Sequence, residues 1–183
     1  MDNKISLNSK KIIKEVLDWV AWIGGALIIA LILRTYVFSL VIVPTGSMLN
    51  TIQLNDRLFV YKLSYALHLE EIKRGDIVVF KYPDDRSVLY VKRVIGLPGD
   101  KIEIKDGVVY INDKEYKENY LKEPMIGSFG PFYVPLGHYF MMGDNRNDSH
   151  DSRFWDHKYV PRQDILGKVL YRIYPFNHIG RIK

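Results

Sequence analysis

The stretch that most constrains this chain is an unbroken apolar run of fifteen residues, Trp19 to Leu33. A helix that is apolar on every side is buried in a large core or sits in a membrane. Fifteen helical residues span about 22 Å, short of the roughly 30 Å hydrocarbon core. Continuing the helix to about Phe38 or Leu40 closes the gap, with Arg34 snorkelling to the far interface. Trp19 and Trp22 at one end, and Tyr36 and Phe38 at the other, read as interfacial anchors. Lys4, Lys10, Lys11 and Lys14 precede the span, and the stretch just after it carries no lysine. That asymmetry places the N-terminus in the cytoplasm. The expected organisation is therefore a cytoplasmic segment 1–18, a transmembrane anchor 19–40 and an extracytoplasmic domain 41–183. A cleaved signal peptide begins in the same way, but Arg34-Thr35-Tyr36-Val37-Phe38 offers no pair of small residues for cleavage. A buried core helix would not need the basic flank and aromatic ends.

Beyond the anchor the pattern is β. Arg57–Lys62, Asp76–Lys81 and Ser87–Ile95 are rich in β-branched and aromatic residues between turn signals. Ile102–Lys105 and Val108–Ile111 flank Asp106-Gly107, a hairpin signal. His138–Met142 and Gly167–Tyr174 supply later strands, and a short helical turn is expected near Pro161–Ile165. Residues 113–136 hold prolines and glycines and read as a long loop or peripheral extension. The expected fold is mainly β, a compact bent antiparallel sheet or partial barrel behind an N-terminal transmembrane helix. The sequence has no cysteine, which excludes disulfides, thiol catalysis and cysteine metal sites. The net charge of +5 comes from basic residues scattered among acids, so nucleic-acid binding is not expected.

Three stretches could carry chemistry. In Val43-Pro44-Thr45-Gly46-Ser47-Met48 a serine sits where the apolar run gives way to the polar domain. Pro44 fixes the approach, and Gly46 allows a tight bend beside Ser47. A serine hydroxyl requires a base. Five histidines are present, at 68, 138, 150, 157 and 178, none in a recognisable catalytic string, although the members of a Ser-His-Asp triad need not be close in sequence. Gly-x-Ser-x-Gly fails because Thr45 and Leu49 stand at the glycine positions. The second stretch is Leu89 to Asp100. Strand alternation puts Tyr90, Lys92 and Val94 on one face and Val91, Arg93 and Ile95 on the other. If the first face is inward, burial lowers the Lys92 pKa and makes it a candidate base. Neutrality at pH 7 requires a shift of about 3.4 units, or roughly 4.6 kcal/mol. The third stretch, Gly143 to Arg153, is dense in Asp and Asn. A calcium loop fails because Arg146 occupies a ligand position, and His150 and His157 match no zinc spacing.

In this order and combination the three stretches, with Gly75-Asp76-Ile77-Val78-Val79-Phe80, resemble the bacterial type I signal peptidases, in their compact Gram-positive form. The resemblance covers nearly the whole chain. It implies the signal-peptidase/SOS-repressor-like protease fold, Ser47 as nucleophile and a neutral Lys92 as general base. It further implies an oxyanion hole from the Ser47 N–H and the Thr45 hydroxyl, and Ser149 orienting Lys92 through a hydrogen bond. Asp144 would pair with Arg93 and Asp151 with Arg153 as supports, while Val43, Met48, Tyr90 and Val91 would line pockets for small substrate residues. Secretory preproteins, the lipid bilayer and the Sec translocon are the partners implied, with no metal or other cofactor and no nucleic acid. Asn50 departs from the pattern, since the family usually has proline there. Two other readings are a self-cleaving Ser/Lys protein of the SOS-repressor kind and a non-catalytic, membrane-tethered β-domain. The first lacks an anchor. The second has no need of Ser47, Lys92 and Ser149 together.

Overall fold

The computed structural model describes residues 2–67 and 69–182, so His68 lies outside the described residues. The chain divides after Val37 into two units. The first is helix α1, Asp2–Ile32, followed by a π-helical turn, Leu33–Val37. Its segment Lys11–Val37 is long and apolar enough to cross a membrane. Trp19 and Trp22 are exposed along it. The helix expected to continue to about Phe38 or Leu40 stops earlier. Phe38 opens strand β1, Phe38–Ile42, and pairs with Tyr61. Its ring stacks on Phe59 at 5.4 Å between centroids. Phe38 is thus a sheet residue and not part of the helix, because a β-branched and aromatic stretch with a pairing partner gains more as a strand.

The second unit is antiparallel throughout. Its strands are β2 (Arg57–Tyr61), β3 (Ile77–Tyr82), β4 (Asp85–Gly96), β5 (Lys101–Lys105), β6 (Val108–Ile111), β7 (Lys114–Glu115), β8 (Phe129–Tyr133), β9 (His138–Met142), β10 (Val160–Pro161), β11 (Ile165–Tyr174) and β12 (Gly180–Arg181). One sheet runs β1-β2-β11-β3-β4-β9-β10, with β12 beside β11; the other runs β7-β6-β5-β8. A four-residue helix, Leu63–Ala66, links β2 to the approach to β3, and Arg162–Asp164 forms a 3₁₀ turn. The extension 113–136 is not all loop: β7 and β8 lie within it. Pro131 disguises β8, which is tolerated because β8 is the edge strand of its sheet.

Bulges in β4 and β11 break the register between Val94 and Gly96 and at three points along β11. Such bulges bend strands, and the core accordingly falls into three clusters. One joins Val78, Phe80, Val94, Met141 and Trp155. A second lies under the smaller sheet, around Ile102, Ile104 and Phe140. The third packs Val43, Met48 and Ile52 against Leu58, Ile77, Val79 and Val169. It seats the segment between β1 and β2 on the sheet, and that segment contains Ser47.

Candidate active site

The Ser47 turn is clamped before and after the serine. Val43 N–H donates to Asp56 O at 3.1 Å and Asn55 N–H donates to Val43 O at 2.8 Å, which closes the base of the loop. Arg172 binds the Asp56 carboxylate through Nε at 2.6 Å and Thr51 O through Nη2 at 2.6 Å. Met48 and Ile52 are fully buried beneath it. Gly46 does not take a left-handed conformation. An added Cβ there would lie 3.0 Å from Leu49 Cδ1, so the glycine supplies room and not an unusual φ. The Leu49–Asn50 peptide bond is cis.

Lys92 lies in the inner half of β4. Tyr90 and Val94 on its face pack in the Phe80 cluster, and Val91 on the other face packs in the Met48 cluster, so the alternation holds. Lys92 is 3% exposed. Its amine makes no hydrogen bond or ion pair among the described residues and sits 5.6 Å from the centre of the Tyr90 ring. Burial holds its pKa down at about 8, against an ordinary 10.5. The Arg153 charge pushes the same way, while Asp151, Asp144 and Asp148 oppose it. The shift is smaller than neutrality at pH 7 requires. About a tenth of the amine is then unprotonated at pH 7, and most of it above pH 8.

Ser47 and Lys92 line one cleft of 340 Å³, together with Val43, Thr45, Gly46, Tyr90, Val91, Asp148 and His150 among others. Thr45 Oγ1 is 3.5 Å from Ser47 Oγ, at the outer limit of hydrogen bonding. Val43, Tyr90 and Val91 reach the cleft, but Met48 is wholly buried in the core behind it and forms no part of its wall. Of the described histidines, His150 lines the cleft, and its Nε2 contacts the Tyr82 hydroxyl at 3.2 Å. None of them hydrogen-bonds Ser47.

The string Gly143–Arg153, of which Asp148 and His150 line the cleft, is anchored by buried ion pairs. Arg93 grips Asp144 through Nε at 2.8 Å and Nη2 at 2.6 Å. The same carboxylate accepts a 2.5 Å bond from Thr51 Oγ1, joining the serine turn to β4. Arg153 grips Asp151 through Nε at 2.8 Å and Nη2 at 2.9 Å, and Asp151 Oδ2 also accepts from Gly143 N–H at 3.0 Å. Gly143 allows a close approach: an added Cβ would fall 2.3 Å from Ser149 Oγ and 2.4 Å from Ser47 O. Ser149 Oγ is buried and makes no hydrogen bond among the described residues, so the bond to Lys92 expected from the sequence is not formed in this geometry.

Sequence reading missed the support from the extension 113–136. Glu118 forms a two-pronged pair with the fully buried Arg146, including a 2.7 Å bond to Nη1, and accepts from Tyr120. The Tyr120 ring lies 3.8 Å from the Arg93 guanidinium carbon. Nothing local in Tyr116–Tyr120 signals this contact, because the partners are far away in sequence.

The arrangement combines a hydroxyl, a buried amine of lowered basicity and a neighbouring polar string held by buried ion pairs. A family model described as "Signal peptidase, peptidase S26" matches residues 16–174. The chain is 39% identical over 175 residues to a signal peptidase I of Leptolyngbya laminosa, covering 91% of this chain and 84% of that protein. It is 39% identical over 191 residues to a signal peptidase I of Bacillus licheniformis, covering 99% of each. The crystal structure of a signal peptidase I from Enterococcus faecalis V583 is 32% identical, with a TM-score of 0.48 over 54% of this chain and 97% of that one.

Proposed function

Because this chain belongs to the signal peptidase family, peptidase S26, we propose that it is a membrane-anchored serine endopeptidase that removes signal peptides from translocated preproteins. Ser47 is the nucleophile and neutral Lys92 the general base. The observation that carries this reading is Lys92: a buried residue whose amine makes no hydrogen bond or ion pair among the described residues and lies on the wall of the cleft that also holds Ser47. A lysine serving only stability would be expected to keep an ion pair or a solvated ammonium.

Ser47 Oγ attacks the scissile carbonyl while its proton passes to Lys92 Nζ. Negative charge collects on the carbonyl oxygen, which the Ser47 N–H and the Thr45 hydroxyl stabilise; such a donor is worth about 3 kcal/mol. The intermediate collapses, and Lys92 passes its proton to the leaving amine. Lys92 then deprotonates a water, whose oxygen adds to the ester carbon; the carbon–Oγ bond breaks and Ser47 Oγ takes the proton back from Lys92. Val43, Tyr90 and Val91 border the space for small substrate side chains.

The apolar helix supports single-pass anchoring, and the lysines before it support a cytoplasmic N-terminus with the β unit outside the cell membrane. Enzyme and preprotein held in one bilayer meet at a raised effective concentration. The Ser47→Ala variant, assayed as the full chain in detergent on a preprotein, should cleave at least about 10³-fold more slowly than the wild type. Near-normal turnover would rule Ser47 out as nucleophile.

A further inference from the structure

The Gly46–Ser47 peptide unit carries the backbone N–H of the oxyanion hole, and one distant residue holds it from the opposite side. Asn145 Nδ2 donates to Gly46 O at 2.9 Å, although the two residues are 99 positions apart. The backbone N–H of Asn145 donates to Ser47 O at 3.1 Å. Two successive peptide planes are thus pinned by a single residue, which is itself fully buried. Its carboxamide orientation follows from chemistry: a carbonyl oxygen accepts only from the NH₂ end. The same Nδ2 lies 3.5 Å from Asp148 Oδ2, and Asn145 Oδ1 is buried without a hydrogen-bond partner among the described residues. Arg146, the next residue, is fixed by Glu118 and by its own 3.0 Å bond from Nε to Gly143 O.

The Gly46–Ser47 bond is not among the cis peptides of the chain. In a planar trans unit the C=O and N–H point in opposite directions. Holding Gly46 O therefore sets the direction of the Ser47 N–H. We infer that Asn145 is a positioning residue for the oxyanion hole: its carboxamide anchors the Gly46 carbonyl and so aims the Ser47 N–H at the oxygen of the scissile carbonyl. This rests on Ser47 being the nucleophile. A donor fixed in advance acts most strongly on the charge that develops in the transition state, so its loss falls on kcat more than on KM.

The test uses the full-length protein in detergent, a peptide substrate and a peptide aldehyde. The aldehyde mimics the tetrahedral intermediate: Ser47 Oγ bonds to the carbonyl carbon, and the serine proton ends on the former carbonyl oxygen. Asn145→Ala removes the carboxamide but keeps the backbone bond to Ser47 O. Its kcat should fall about 10- to 100-fold, with KM changed less than about threefold. Aldehyde affinity should weaken in parallel with kcat, and the pH dependence, set by Lys92, should not move. Asn145→Leu keeps the approximate size and loses the NH₂ donor without adding a charge beside Asp148, so it should show the same split. The inference is overturned by an unchanged kcat, by a loss confined to KM, by unaltered aldehyde affinity, or by failure of both variants to fold, which would make the role purely structural. An inactive Ser47→Ala beside a fully active Asn145→Ala would sink this inference alone, whereas an active Ser47→Ala would sink the nucleophile assignment beneath it.

Discussion

Replacing Lys92 by methionine should stop preprotein cleavage, by about 10³-fold or more, while making the folded protein more stable at neutral pH. The catalytic half follows from losing the base. The stability half follows from burial. Folding lowers the Lys92 pKa from 10.5 to about 8, so between those values the unfolded chain binds more protons than the folded one. Stability therefore rises with pH across that interval, and the cost of the buried ammonium is fully present below pH 8. A shift of this size corresponds to about 3 kcal/mol. Methionine fills a similar volume and does not titrate. The stability advantage of Lys92→Met should be greatest at pH 7 and shrink by about 3 kcal/mol as pH approaches 10.5. Thermal melts of both proteins in the same detergent at several pH values measure this directly. A constant gap would mean that Lys92 is not held in a desolvated site.

Asp144→Ala should have the opposite effect on the fold. Asp144 is fully buried and takes two bonds from Arg93, itself 2% exposed, and one from Thr51. Removing it leaves a guanidinium in the interior with its main countercharge gone, which typically costs 3–5 kcal/mol, about 4 kcal/mol here. Marginal domains hold only about 5–15 kcal/mol in total. The variant should melt far below the wild type and become protease-sensitive at 37 °C. Activity should disappear with it, because Asp144 links the serine turn to β4. A melting temperature within a few degrees of wild type would show that Arg93 finds another way to satisfy its charge.

How much of this could be read beforehand differs from element to element. The hairpin of β5 and β6 was legible because Asp106 and Gly107 both take positive φ, 49° and 82°, as that turn demands. Strand β9 matches its expected limits because both ends are marked by glycine. Strand β8 was hidden by Pro131, and the end of the helix was misjudged because Phe38 suits a membrane interface and a strand equally well. Within the site, Ser47 and Lys92 were candidates because a nucleophile needs a base and because alternation would bury Lys92 if its face pointed inward; it is the resemblance to the signal peptidases that paired them. Asn145 could not be singled out, because Asn and Asp in a turn-rich string are ordinary turn formers. Only the fold brings its carboxamide to Gly46. Glu118 and Tyr120 were invisible for the same reason.

The central claim, that a buried and uncharged Lys92 activates Ser47, is tested most directly by the pH dependence of kcat/KM for the full-length wild type on a preprotein. The predicted profile rises about tenfold per pH unit on the acid side, bends near the Lys92 value of about 8 and levels off above it. A flat profile from about pH 5 to 9, or a bend near 6.5 of the kind an ordinary histidine gives, would contradict it.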